Sequence, residues 1–380
     1  MAGVLSGYDV GMSQPLPSTG RVPYSGIWLE SFSLTPVPGG ALLAGGEEWH
    51  PEGIGATPRA TDAAAFFDVS KQEWRPLPPL PFARQDHAAV ALKDGRVLLV
   101  GGRSRQDPAL KDTAFWEPGT QSFREGPPLR EERSHPAALS LPDGSVLVLG
   151  SDFDHDRKRG TRAELLRPGA SAWEPAGQTM RIFHLGPVCL SGQQVLIAGG
   201  RDNGFGFAII EGVHYAPPLG QSTELWEPEG RTWRTAAGAL LEPREDAQGV
   251  TLSDGRVLIA GGWHKGRLLT TAELWDPRTE RWSPAGKLST ARSSLALTAL
   301  PDGRAAVSGG LGAGPSEATN SVEIWDPQSH TWSAGPPLAQ ARAGHLLAPV
   351  GPGLFLVVGN YRPTPDAPPE TTWELWRPLP

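Results

Sequence analysis

The run REDAQGVTLSDGRVLIAGGWHKGRLLTTAELWDPRTERWSPAGKL, from Arg244 to Leu288, decides the fold. It holds four phrases in a fixed order: an Arg ten residues before an Asp-Gly pair, an apolar run closing on Gly-Gly, the segment AELWDP, and an aromatic residue six before a Leu. Short apolar and β-branched runs bounded by Asp-Gly and Asp-Pro turns read as strands. The stretch is therefore a four-stranded antiparallel meander. Spacing of i, i+3, i+4, i+7 is never sustained, so helix is not expected.

Outward from this stretch the same phrases recur, and a period of this length must be found before domains are counted. The Gly-Gly run returns at Gly45-Gly46, Gly101-Gly102, Gly199-Gly200 and Gly309-Gly310, with weaker copies at Gly150-Ser151 and Gly359-Asn360. That makes seven copies. The Arg returns at Arg84, Arg133 and Arg292, with Arg21, Arg181 and Arg342 aligned to it. The aromatic of the third segment is Trp116, Trp226, Trp275, Trp325 or Trp376, replaced by Phe67 and Leu166 in two copies.

Composition excludes several classes. Gly (47) and Pro (39) are abundant enough in 380 residues to raise disorder, but 14 Trp and the strand-like runs argue for a folded chain rich in turns. No stretch approaches the about 20 apolar residues of a membrane span, and the N-terminus lacks the features of a signal peptide. A cytoplasmic location is expected, with no membrane partner. Cys189 is the single cysteine, so neither an intramolecular disulfide nor a Cys-based zinc cluster is available. A net charge of −7 disfavours nucleic acid.

The four phrases, in seven copies over roughly residues 8 to 378, resemble the Kelch repeat. The resemblance implies an all-β fold: a seven-bladed β-propeller of four-stranded antiparallel blades, in a single domain spanning 1–380 and monomeric, as in a stand-alone bacterial Kelch protein. Such a ring buries both faces of each sheet and leaves only short edges. The seventh copy stops after its third segment. Residues about 8–16 are expected to complete that blade together with about 343–378, since YDVGMSQPLPSTGR matches TWSAGPPLAQAR with Val10 at the Trp332 position, Leu16 at Leu338 and Arg21 at Arg342.

With strands lettered a to d from the inside out, the a–b and c–d turns are tight and the long insertions lie at the other end. From the second Gly position to the third-segment aromatic, five copies span 13 to 16 residues, the first spans 21 and the fourth 26. Loops on a rigid scaffold concentrate binding groups, so this end is the expected mouth. Tyr24, Trp28, Trp49, Phe153, Phe205, Phe207, Tyr215, Trp263 and Tyr361 fall there. They would either line a site for a small organic ligand or peptide, or pack the long loops against one another.

Polar groups at the mouth divide the same way. Arg103 and Arg201 suit a carboxylate or phosphate, or are solvated surface arginines. Asp152, Asp154 and His155, with His264 from another blade, supply donors for a divalent metal, although the spacing is neither HExxH nor that of an EF-hand and no cofactor is expected. Glu47, Asp152, His264 and Tyr361 are acid or base candidates. His87, His184 and His345 recur at one register and read as structural, as do Glu164, Glu224, Glu273, Glu323 and Glu374, which are expected to pair with the repeated Arg. Kelch propellers include binding modules and enzymes. The copper-radical oxidases among them use a Tyr cross-linked to Cys, a second Tyr and two His, and this chain has no Tyr-His pair beside Cys189. The leading expectation is a recognition propeller for a small ligand, a peptide or a protein partner. The alternative is an isomerase, lyase or cyclase acting on a small metabolite in a bacterial biosynthetic pathway.

Overall fold

Second strands such as Val97–Val100, Val146–Leu149 and Val257–Ala260 are buried at every residue, because each has a strand on either side and another sheet over each face. Outermost strands such as Glu73–Pro76 and Ser122–Glu125 contain no fully buried residue. The computed structural model describes residues 20–24, 28–49, 58–150, 161–179, 187–200, 208–210, 213–215, 220–312, 317–361 and 370–378, with the backbone alone for Trp28, 208–210, 213–215 and Tyr361.

Seven four-stranded antiparallel sheets account for the repeats, and no helix occurs among the described residues. The innermost strands are Ser33–Val37, Ala88–Ala91, Ala137–Ser140, Val188–Ser191, Gln248–Thr251, Ala296–Ala299 and Leu346–Gly351. They neighbour one another in that order, and the seventh returns to the first. The sheets, numbered as blades 1 to 7 by these strands, therefore form a closed ring.

The repeated phrases explain one another. In blade 2 the Gly101-Gly102 pair has positive φ at both residues, and a Cβ on Gly102 would lie 2.5 Å from the Gln85 carbonyl oxygen, so only Gly fits. The Gly102 N–H donates to the carbonyl of Arg133 in the next blade at 2.8 Å. The Arg133 side chain donates in turn to the Gly150 carbonyl of its own blade and pairs with Glu164 at 2.9 Å. Arg244–Glu273, Arg292–Glu323 and Arg342–Glu374 repeat the pair, each Arg fully buried. Arg84 departs from this pattern. Ala114 stands in the place of the Glu, and the guanidinium instead donates to the carbonyls of Gly101 and Asp112. Burial lowers the Arg84 pKa to about 10, against the opposing charge of Asp112.

The third-segment tryptophans clasp neighbouring blades. Trp226 donates its indole N–H to the Ala176 carbonyl, Trp325 to Ala285 and Trp376 to Pro336, in each case in the preceding blade. These indoles also fill the apolar layers between sheets.

The N-terminal strand Gly20–Arg21 pairs with Glu370–Trp376 and supplies the fourth strand of blade 7, with Gly20 opposite Trp373 and Arg21 opposite Thr372. Residues 8–16 lie outside the described residues. The alignment of Arg21 with the repeated Arg does not hold: Arg21 is an exposed partner of Glu370 on the strand itself. Leu29 takes the Arg place in blade 1, since Glu30 pairs with Glu47 as Gln85 pairs with Arg103 and Glu245 with Trp263. Consequently Val22 to Trp28 connects blade 7 to blade 1.

Candidate functional site

At the mouth end the connections between strands build small sheets of their own. Trp28–Glu30, Glu47–Trp49 and Arg59–Ala60 form a three-stranded sheet, Trp263–His264 pairs with Arg267–Leu268, and Ala208–Ile210 pairs with Val213–Tyr215. The opposite end carries the tight turns, as expected. It also holds a cleft of about 630 Å³ between blades 2 and 3, beside Asp94 and Asp143. The cations of that cleft are already engaged, Arg96 with Asp94, Arg124 with Glu117, Arg167 with Glu174 and Lys93 with the Pro142 carbonyl. Arg96 and Arg124 also stack over the Phe115 ring. This cleft is therefore an ion-paired seam between blades.

The expected site residues divide into three groups. Asp152, Phe153, Asp154, His155, Arg201, Phe205 and Phe207 lie outside the described residues. Trp28, Tyr215 and Tyr361 are placed by backbone only, opposite Trp49, Ala208 and Glu370. The others have defined surroundings. The Tyr24 hydroxyl donates to the Ala63 carbonyl at 3.0 Å, and its ring packs on the core of blades 7 and 1. Burial, then the charge of Glu48, holds its pKa well above the ordinary value. Tyr24 thus serves packing. Trp49, Trp263, His264 and Glu47 are half-buried at the mouth. Glu47 and His264 sit on blades 1 and 5, and no hydrogen bond or ion pair joins them among the described residues. No three His, Cys, Asp or Glu side chains converge on a metal-sized site among the described residues. Cys189 is buried in the innermost strand of blade 4, where burial pushes its thiol up to about 12.

The structure adds a collar that the sequence reading passed over. Two residues beyond the repeated Arg the chain turns into strand a, and Ser31, Asp86, Asp246, Ser294 and Gly344 all take left-handed φ there, between 49° and 64°. His135 holds this position in blade 3. The positions interlock from blade to blade. The Asp86 N–H donates to the Ser31 carbonyl at 3.0 Å, and the Gly344 N–H to the Ser294 carbonyl at 2.7 Å. Ser294 donates both its N–H and its hydroxyl to the Asp246 carboxylate at 2.8 Å. The Asp86 carboxylate takes Arg103 Nε at 2.5 Å and faces His135 Nε2 at 3.4 Å. Burial alone would raise the Asp86 pKa. Hydrogen bonds from Arg103 and Ser31 and the nearby cationic charges outweigh burial and hold it below the ordinary value. Asp, Ser and Gly at one register were the available signal, since Asp and Gly tolerate left-handed backbone better than most residues.

Comparisons with known proteins agree with the architecture. The Kelch motif matches residues 248–289 and 307–339, mostly in blades 5 and 6. Spermatocyte protein spe-26 of Caenorhabditis elegans is 31% identical over 117 residues, covering 28% of this chain and 20% of that protein, so the chain spans a fifth of this relative's length. A fungal alcohol oxidase of the AA5 family, solved in complex with copper, superposes with a TM-score of 0.70 at 13% identity, over 96% of this chain and 76% of that one. At that identity the likeness is one of fold alone. Two matched Kelch motifs, the closed ring of four-stranded sheets and the interlocking Arg, Gly-Gly and Trp phrases together show Kelch repeats built into a β-propeller fold.

Proposed function

We propose that this Kelch propeller is a recognition module that takes a small organic ligand or a peptide at the mouth. The supporting observation is the concentration at one end of features that differ from blade to blade: the small additional sheets, the half-buried Trp49 and Trp263, and the charged collar residues Asp86, Arg103, His135 and Asp246. A half-buried aromatic beside charged groups in fixed orientation suits a ligand with an apolar body and a polar head. The enzyme alternative has less support, because its acid and base candidates with defined side chains, Glu47 and His264, are joined by no hydrogen bond or ion pair.

Native mass spectrometry on protein purified from its own host tests the reading. The wild type should carry a bound small molecule or peptide, and Trp263→Ala should release it while the protein stays folded. A ligand held equally by wild type and Trp263→Ala would place recognition away from the mouth.

A further inference from the structure

On the mouth face, the loop after strand b of blade 2 and the turn into blade 3 enclose a cleft of about 420 Å³, whose polar lining is Arg103, Ser104, Arg105, Gln106, Ser134 and His135. No carboxylate is among its lining residues. This is unusual in a chain of net charge −7, whose other mouth positions include Glu30, Glu47, Glu245 and Asp246.

The cleft is held in shape from below. Arg103 exchanges two backbone hydrogen bonds with Gln85, at 2.9 and 3.0 Å, which fixes the base of the loop. Ser104 donates its N–H to the Asp107 carbonyl, and its hydroxyl accepts the N–H groups of Gln106 and Asp107, so the loop tip is a closed turn. Asp86 lies beneath with its side chain 11% exposed, and takes the Nε of Arg103 while the Arg103 side chain remains 43% exposed. That bond uses the Nε of the guanidinium, and among the described residues the two coplanar Nη donors make no hydrogen bond. Two coplanar donors match the two oxygens of a carboxylate. The exposed Arg105 adds a second cation on the same wall.

We infer that this cleft is the subsite for a carboxylate group of the mouth ligand, gripped end-on by Arg103 with Arg105 beside it. The inference rests on the mouth reading and narrows it to carboxylate-bearing molecules. Asp86 is a positioning residue here: it aims Arg103 and touches no ligand.

Succinate is a suitable probe, titrated calorimetrically into the full chain at constant ionic strength, with sodium chloride and inorganic phosphate as matched controls. Saturable succinate binding is expected, weakened about tenfold or more by Arg103→Gln and less by Arg105→Gln. Asp86→Asn should weaken it as well, through a mis-aimed Arg103, and the conservative Asp86→Glu should restore part of the loss. Arg256→Gln, in the tight turn of blade 5 at the opposite end, should leave binding unchanged. No saturable heat, equal saturation by phosphate, or binding indifferent to both Arg103→Gln and Arg105→Gln would overturn the inference. If succinate fails while Trp263→Ala still releases the host-derived ligand, the carboxylate subsite falls and the mouth stands.

Discussion

His345 Nε2 lies 2.8 Å from the hydroxyl of Ser308, and His87 Nε2 lies 2.8 Å from that of Ser33, each bond crossing to the preceding blade. Both rings are buried. Burial, reinforced by the charge of Arg342 or Arg84, lowers both pKa values to about 3. The unfolded chain takes up these protons near the ordinary pH of about 6.5, whereas the folded chain does so only near 3. Between those values unfolding binds protons, so the stabilisation is complete above about 6.5 and is lost as pH falls. Each ring should remove about 1.4 kcal/mol of stability between pH 7.5 and 5.5, a window above most carboxylate titration. Urea unfolding at the two pH values checks this: His345→Gln should shrink the pH-dependent loss by about that amount. An unchanged loss in both His345→Gln and His87→Gln would show that these rings titrate normally.

Among elements, the third strand of each blade does the most to join neighbours. Trp325 is fully buried, packs among side chains of blades 5 and 6 and donates to the Ala285 carbonyl across the gap. Trp325→Ala should cost roughly 3–5 kcal/mol, read from chemical denaturation, because the cavity sits between two sheets that cannot collapse onto each other. Trp263→Ala, half-buried on a two-residue strand outside the blades, should cost less than about 1.5 kcal/mol. Equal losses would dissolve the division between scaffold and mouth. The scaffold was legible in the sequence because each interlocking group repeats: the Arg–Glu pairs, the Gly-Gly positions and the tryptophans all follow one period. The mouth was harder to read. Arg103 and Trp263 could be placed at its rim, but the partnership of Asp86, Arg103 and His135 is made once, between blades 2 and 3, and repetition cannot reveal it. Leu29 was missed for a related reason, since an apolar residue in the Arg place breaks the pattern, and the nearby Arg21 was aligned there instead.

At the scale of the whole molecule, the ring depends on one non-covalent closure. Six blades are continuous in sequence, while blade 7 takes strands a to c from Leu346–Trp376 and its outer strand from Gly20–Arg21. The joint is narrow but close-fitting. A Cβ built on Gly20 would lie 2.5 Å from Nε1 of Trp373, so the backbone strand rests on that indole, and Trp373 in turn packs edge-on against Phe67 of blade 1 at 5.0 Å. Thr371 continues the seam, with its hydroxyl 2.5 Å from the Leu29 N–H at the Arg place of blade 1. Removing residues 1–21 would leave Glu370–Trp376 as an open edge and take away the cover of Trp373, while every other blade keeps its four strands. Local opening should then begin at the joint rather than spread evenly. Hydrogen exchange of the truncated chain should show Glu370–Trp376 and Ser33–Val37 losing protection first, with the second strands of blades 3 to 5 still protected. Even loss around the ring would mean that the blades unfold as one unit whether or not the joint is closed. Gly20→Val separates the missing strand from a misfitted one: it keeps the strand but should force Trp373 aside, giving the same order of exchange at a smaller loss of about 1–3 kcal/mol.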